Sequence, residues 1–81
     1  MMHHVYVLRS LRDGKLYIGL TNDLDRRIHE HNDGKVAATK GRRPLLPVWV
    51  EHYPERKQAA SREKFLKSGV GRKQLKELLI K

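Results

Sequence analysis

Two runs rich in β-branched and aromatic residues, Val5 to Leu11 and Lys15 to Leu20, flank the dipeptide Asp13-Gly14. Asp-Gly between such runs is among the strongest short-range hairpin signals, because the favoured turn needs positive φ at its central positions. No other feature constrains the chain as much. With Asp13 and Gly14 as a two-residue turn, Tyr6 faces Thr21, Leu8 faces Gly19 and Ser10 faces Tyr17. Directly opposed residues share a sheet face. Tyr6, Leu8, Ser10, Tyr17, Gly19 and Thr21 are therefore expected on one face, and Val5, Val7, Arg9, Leu11, Leu16, Ile18 and Leu20 on the other. The second face is nearly all aliphatic and is the expected core. The first is mixed, with two tyrosines and a glycine that leaves room above it.

Downstream, Thr21-Asn22-Asp23 offers helix N-caps, and Asp23 and Asp25 suit the positive end of a helix dipole. A helix is expected from Leu24 to Asn32, ending near Asp33-Gly34, with Leu24, Ile28 and His31 on one face. Arg27 and His31 are four apart and so are neighbours beside that stripe. Gly34 to Pro47 carries Gly, Pro and four cations without a sustained period, the pattern of a mobile basic loop. A third strand is expected over Pro47 to Tyr53, with Val48, Val50 and His52 on one face and Trp49, Glu51 and Tyr53 on the other.

The spacing then predicts a helix from Arg56 to Lys67 with Gly69 as its C-terminal cap. Ala59, Ala60, Glu63 and Leu66 fall on one side of it, and an acid in an apolar stripe is costly unless it is paired or metal-bound. The last segment, Arg72 to Lys81, places Leu75, Leu78 and Leu79 at core spacing. The expected fold is α+β: one domain over residues 1–81, a three-stranded antiparallel sheet flanked by three helices, in the order ββαβαα.

Charge narrows the class of partner. Eighteen Lys and Arg against nine acids give a net charge of +9, which favours polyanions, and nucleic acid is the commonest inside a cell. The absence of cysteine excludes disulfides and thiolate metal sites, and the five histidines lack the ligand spacing of a zinc site. No apolar run approaches the ~20 residues of a membrane span, and the first residues lack the features of a signal peptide. A cytoplasmic chain without membrane association is the expectation. Among the acids, only Glu63 sits where an acid is out of place. Two-metal chemistry needs clustered carboxylates, whereas a single carboxylate with waters is a familiar way to hold Mg²⁺.

Val5-Tyr6-Val7, followed ten residues after Tyr6 by Leu16 and then by Tyr17-Ile18-Gly19, resembles the paired motif of the GIY-YIG nuclease family. Arg27 and His31 stand where that family has its arginine and histidine, and Arg62-Glu63 resembles its metal-binding glutamate. Lys40-Gly41-Arg42-Arg43-Pro44 and the strand from Val48 to Glu51 resemble the small stand-alone members. Two departures stand out. The first motif reads VYV in place of GIY, and the distal asparagine of some larger relatives has no clear match in Gly69 to Lys81.

The resemblance implies an endonuclease that hydrolyses DNA phosphodiester bonds with one divalent ion, Mg²⁺ or Mn²⁺, on Glu63. It implies Tyr6 as general base, His31 as acceptor of its proton, and Tyr17 ordering the nucleophilic water or a phosphate oxygen. Arg27 would stabilise the pentacovalent transition state. Gly19 is expected to let the substrate or the helix approach the sheet, and Lys35, Lys40, Arg42 and Arg43 to contact phosphate. A chain of 81 residues has little surface for reading sequence, so a partner protein for specificity fits, and the chain is expected as a monomer or weak dimer. Taken singly, each residue has a plainer reading: packing for the tyrosines, a solvated cation for Arg27, a helix cap for His31, a salt bridge for Glu63. Their joint order and spacing outweigh those readings. The competing class is a basic nucleic-acid-binding module without catalysis, which the charge supports equally.

Overall fold

The computed structural model describes residues 1–80. The chain forms β1 (His3–Ser10), β2 (Leu16–Thr21), α1 (Leu24–Asn32), a 3₁₀ turn (Lys40–Arg42), β3 (Leu45–Tyr53), α2 (Arg56–Lys67) and α3 (Gly69–Leu79). The sheet is antiparallel in the order β2-β1-β3, so the first strand lies in the middle. This is the α+β arrangement ββαβαα that the sequence predicts.

The central position of β1 explains its unbroken apolar run, because a strand covered on both faces has no solvent side to mark with polar residues. Val5, Tyr6, Val7 and Leu8 are all at most 1% exposed. On one face Val5, Val7 and Ile18 pack with Ala59 and Leu66 of α2 and Leu75 of α3. On the other, Tyr6, Leu8 and Leu45 pack with Tyr17, Val50 and, from α1, Leu24 and Ile28. Helix α1 begins as its sequence dictates: the Asp23 carboxylate caps it by accepting from the Arg26 N–H at 3.2 Å.

The hairpin reverses differently from the expectation. Ser10 N–H donates to the Lys15 carbonyl at 2.9 Å and Gly14 N–H to the Ser10 carbonyl at 2.8 Å, so four residues, Leu11 to Gly14, make the loop. Gly14 has φ +74°, a conformation that glycine adopts freely. The pairing moves by two: Tyr6 faces Gly19, Leu8 faces Tyr17 and His4 faces Thr21. Because the side-chain period is two, an even shift keeps every residue on its expected face. Ser10 accounts for the wider loop. Its buried hydroxyl accepts from the N–H groups of Arg12 and Asp13, both at 3.1 Å, and donates to the Arg42 carbonyl at 2.6 Å. Leu11, expected in the core, is left exposed in the loop.

Strand β3 starts two residues earlier than expected and carries a bulge. Val7 pairs with Trp49 and Leu8 with Pro47, leaving Val48 without a partner. Proline has no N–H to give a ladder, and bulges tolerate that. The expected alternation breaks there: Val48 packs with Trp49 on the α2/α3 side, while Val50 lies on the α1 side. Nor is the preceding segment, expected as a mobile loop, without anchors. Val36 and Thr39 are buried, and Leu45 exchanges two hydrogen bonds with the Asn32 side chain at 2.8 and 3.0 Å.

Ser68, not Gly69, ends α2, and it also starts α3. Its N–H donates to the Phe65 carbonyl at 3.0 Å, and its hydroxyl accepts from Gly71 N–H at 3.1 Å. Helix α3 therefore begins three residues before the expected Arg72, and the last residue of that expected segment, Lys81, lies outside the described residues. Glu51 joins β3 to α2. Its carboxylate accepts from Arg62 at 2.9 and 3.1 Å, from Trp49 Nε1 at 2.9 Å and from the Tyr53 hydroxyl at 2.7 Å. Burial works against its charge, but these donors outweigh it and hold the carboxyl below the usual range. Among the described residues, no helix is long and apolar enough to cross a membrane.

Candidate active site

Tyr6 projects from the middle of β1 toward α1, directly opposite Gly19. A Cβ at Gly19 would overlap the Tyr6 hydroxyl and Cζ, so the ring lies across β2 through the gap the glycine leaves. That gap, expected to admit substrate or helix, is filled by Tyr6 itself. The Tyr6 hydroxyl is 2.9 Å from His31 Nε2, and His31 Nδ1 is 2.7 Å from the Thr39 hydroxyl. All three side chains are buried. His31 is the only fully buried residue of α1, where an apolar side chain would pack at lower desolvation cost.

Tyr17, half-buried on the edge strand, meets the His31 ring edge-on with centroids 5.0 Å apart, and lies 6.5 Å from the Tyr6 ring. Arg27, one helical turn before His31, pairs with Glu30 at 3.1 Å and sets its guanidinium beside the Tyr6 phenol. Glu63 comes from α2, with Oε2 at 3.2 Å from Lys67 Nζ. Its charge reaches Tyr6 without a bond between them. The fold thus joins Tyr6, Tyr17 and His31 in contact, places Arg27 against Tyr6, and brings Glu63 within electrostatic range.

The model of the GIY-YIG catalytic domain matches residues 2–76. This chain belongs to the GIY-YIG family. The UPF0213 protein CPE1444 of Clostridium perfringens is 42% identical over 67 residues, covering 82% of this chain and 71% of its own length. The UPF0213 protein YazA of Bacillus subtilis is 39% identical over 79 residues, covering 96% of this chain and 77% of its own. Among solved structures, the solution NMR structure of the UPF0213 protein BH0048 from Bacillus halodurans is similar, with a TM-score of 0.60 and 38% identity. That likeness spans 96% of this chain and 85% of that one.

Of the two tyrosines, Tyr6 is buried and Tyr17 only half-buried. Burial pushes the Tyr6 phenol above its ordinary value. Arg27 pulls it back down, and the nearby Tyr17 and Glu63 add to the rise. His31 is held below the ordinary histidine value, first by burial and then by the Arg27 charge, with Glu30 opposing. A histidine neutral in the fold but chargeable when unfolded lowers stability in acid, because the unfolded state then binds more protons. The His31 contribution is therefore complete above pH about 6.5 and declines as pH falls from there toward its lower folded value. Urea midpoints measured across that window should fall with acid in the native chain. His31→Gln should flatten the slope, and an unaltered slope would contradict the burial argument.

The loop cations take separate places. Arg42 binds Asp13 at 3.3 Å and the Leu16 carbonyl at 3.5 Å, and Arg43 Nε donates to the Lys40 carbonyl at 2.9 Å. Lys35 and Lys40 are exposed. Sequence reasoning missed Thr39, since a threonine within an aperiodic basic segment carries no pattern. It also missed the Glu51–Arg62 clamp, whose partners lie 11 residues apart on different elements.

Proposed function

We propose that this GIY-YIG chain is a metal-dependent endonuclease that hydrolyses DNA phosphodiester bonds. The observation that carries the reading is the buried Tyr6–His31–Thr39 chain with Arg27 against the phenol. A structural core gains nothing from an aligned phenol, imidazole and hydroxyl that apolar side chains would not supply at lower desolvation cost. A site that moves a proton needs them.

A free phenol is roughly 0.1% ionised at neutral pH, and burial makes Tyr6 weaker still. Tyr6 therefore acts as a base only if its proton leaves as it takes one from water. His31 Nε2, at 2.9 Å, is the acceptor. That role requires the tautomer with hydrogen on Nδ1, for which the Thr39 hydroxyl at 2.7 Å supplies an acceptor. Tyr17, partly open to solvent, orients the water or a phosphate oxygen. Arg27, about a third exposed and paired with Glu30, turns its fork to the phosphate.

Among the described residues, no group of three or more metal-ligating side chains occurs. Glu63 is a partly exposed carboxylate whose one ion-pair partner, Lys67, is about half exposed. This donor suits a hard cation that keeps its waters, so Glu63 would hold one Mg²⁺ or Mn²⁺. Such an ion supplies positive charge at the leaving oxygen. The exposed Lys35 and Lys40, with Arg42 and Arg43, contact backbone phosphates. The chain acts as a monomer or weak dimer, with a partner protein supplying specificity.

The test is a panel of labelled single-stranded, duplex, flap and branched DNA, with RNA as control, in Mg²⁺, Mn²⁺ or EDTA. Cleavage of at least one DNA form is expected with metal. EDTA and Glu63→Gln should both abolish it, while DNA affinity stays within about twofold. Cleavage that survives Glu63→Gln overturns the metal role. Binding without cleavage of any form means the chain is a nucleic-acid-binding module. Thr39→Val should slow cleavage by about 10- to 100-fold, taking as a guide the cost of removing a group that orients a metal-bound histidine. Thr39→Ser should restore most of the rate. NMR of the His31 ring nitrogens should show proton occupancy move off Nδ1 in Thr39→Val alone.

A further inference from the structure

At the end of the sheet where β1 turns into β2, Lys15 and Leu16, Arg42 of the 3₁₀ turn, and Arg72, Leu75 and Lys76 of α3 border a cleft of about 510 Å³. Leu16 and Leu75 belong to the α2/α3-side core, Gly14 completes the lining, and the other four residues are cations. Of these only Arg42 has a counterion, Asp13 at 3.3 Å. Among the described residues, Lys15, Arg72 and Lys76 form no ion pair. Arg72 and Lys76 are four apart on one helix, a like-charge spacing that weakens the helix unless an anion lies between them. The cleft volume falls in the range of small-ligand sites. The opening of β2 at its edge and the base of the Tyr6 ring over Gly19 are three residues apart, about 10 Å along the strand.

We propose that this cleft binds backbone phosphates of the DNA strand that flanks the bond cut at Tyr6 and Tyr17, outside the cleavage site itself. The proposal rests on the nuclease reading above and adds Lys15, Arg72 and Lys76 to the DNA surface. Arg42 and Arg72 suit phosphate because a guanidinium can bond two oxygens at once, and the lysines add point charges. β2 is the sheet edge between the cleft, on the α2/α3 side, and the tyrosines, on the α1 side, so a strand passing round this edge reaches both.

The experiment measures binding of a labelled single-stranded oligonucleotide by anisotropy, in EDTA, over a salt series. EDTA removes the metal, so the readout is independent of catalysis. A chain that binds and never cuts fails the cleavage panel and still gives an answer here. Lys15→Gln, Arg72→Gln and Lys76→Gln should each lower the salt slope by about 0.7, the single-strand value per phosphate contact. The triple variant should lower it by about 2. Lys57→Gln, on α2 outside the cleft, should leave the slope unchanged. A native slope in a folded triple variant overturns the proposal. So does an equal fall in Lys57→Gln, which would mark a general charge effect. Displacement of the oligonucleotide by inorganic phosphate or a mononucleotide at comparable concentration overturns the strand assignment in favour of a small-anion site.

Discussion

Arg27→Ala should reduce cleavage by about 10²- to 10³-fold, the cost of removing one preorganised group from a developing charge. Stability should change by less than about 1 kcal/mol, since the only ion pair lost is the partly exposed one with Glu30. The two numbers separate a catalytic cation from a structural one. After burial, the Arg27 charge is the next cause that holds His31 below its ordinary value, so its removal lets that value rise. The ascending limb of the pH–rate profile, which reports the neutral His31 that accepts the proton, should therefore move to higher pH. Arg27→Lys keeps the charge but not the planar fork, and should recover only part of the rate. Single-turnover cleavage together with thermal melts decides the matter. A folded Arg27→Ala chain that cuts within about fivefold of native would remove Arg27 from the mechanism.

Gly19→Ala should be damaging in a second way, although it adds one methyl group and changes no charge. The new Cβ would overlap the Tyr6 hydroxyl and Cζ, and neither partner has room to yield. Tyr6 is 1% exposed and bonded to His31, which is fully buried and bonded in turn to Thr39. Overpacking of this kind costs about 1–3 kcal/mol. Displacing a reacting group by about 1 Å commonly costs 10²-fold in rate. Both losses should appear together in denaturation and cleavage assays. Tyr6→Phe in the Gly19→Ala background removes the hydroxyl, one of the overlapped atoms, and should recover part of the stability and none of the rate. Native stability and rate in Gly19→Ala would show that the ring does not lie over this position.

Much of the fold was legible because the signals were local. Asp23 caps α1 from three residues away, and the boundaries Leu24–Asn32 and Arg56–Lys67 follow from caps and periodicity. Face assignment in the hairpin survived a wrong register because alternation has period two and the error was even. Tyr6 and Tyr17 could be placed on one face, and Arg27 beside His31, before any coordinates. Glu63 stood out as the acid within an apolar stripe, and the family motif pointed to the same residue, but its closeness to Tyr6 no local pattern implies.

What tertiary structure alone decided were the groups whose partners are distant in the chain. The Ser10 hydroxyl reaches Arg42 across 32 residues and sets a four-residue hairpin loop where the dipeptide Asp13-Gly14 suggested two. The Val48 bulge exists only when β3 is laid against β1. The Tyr6–His31 hydrogen bond spans 25 residues, and Thr39 becomes the other hydrogen-bond partner of His31 only once an irregular segment folds its side chain under α1. Periodicity reports which side of an element faces the core. It carries no information on which buried hydroxyl, ring or carboxylate will find which, because that depends on packing that closes the chain on itself.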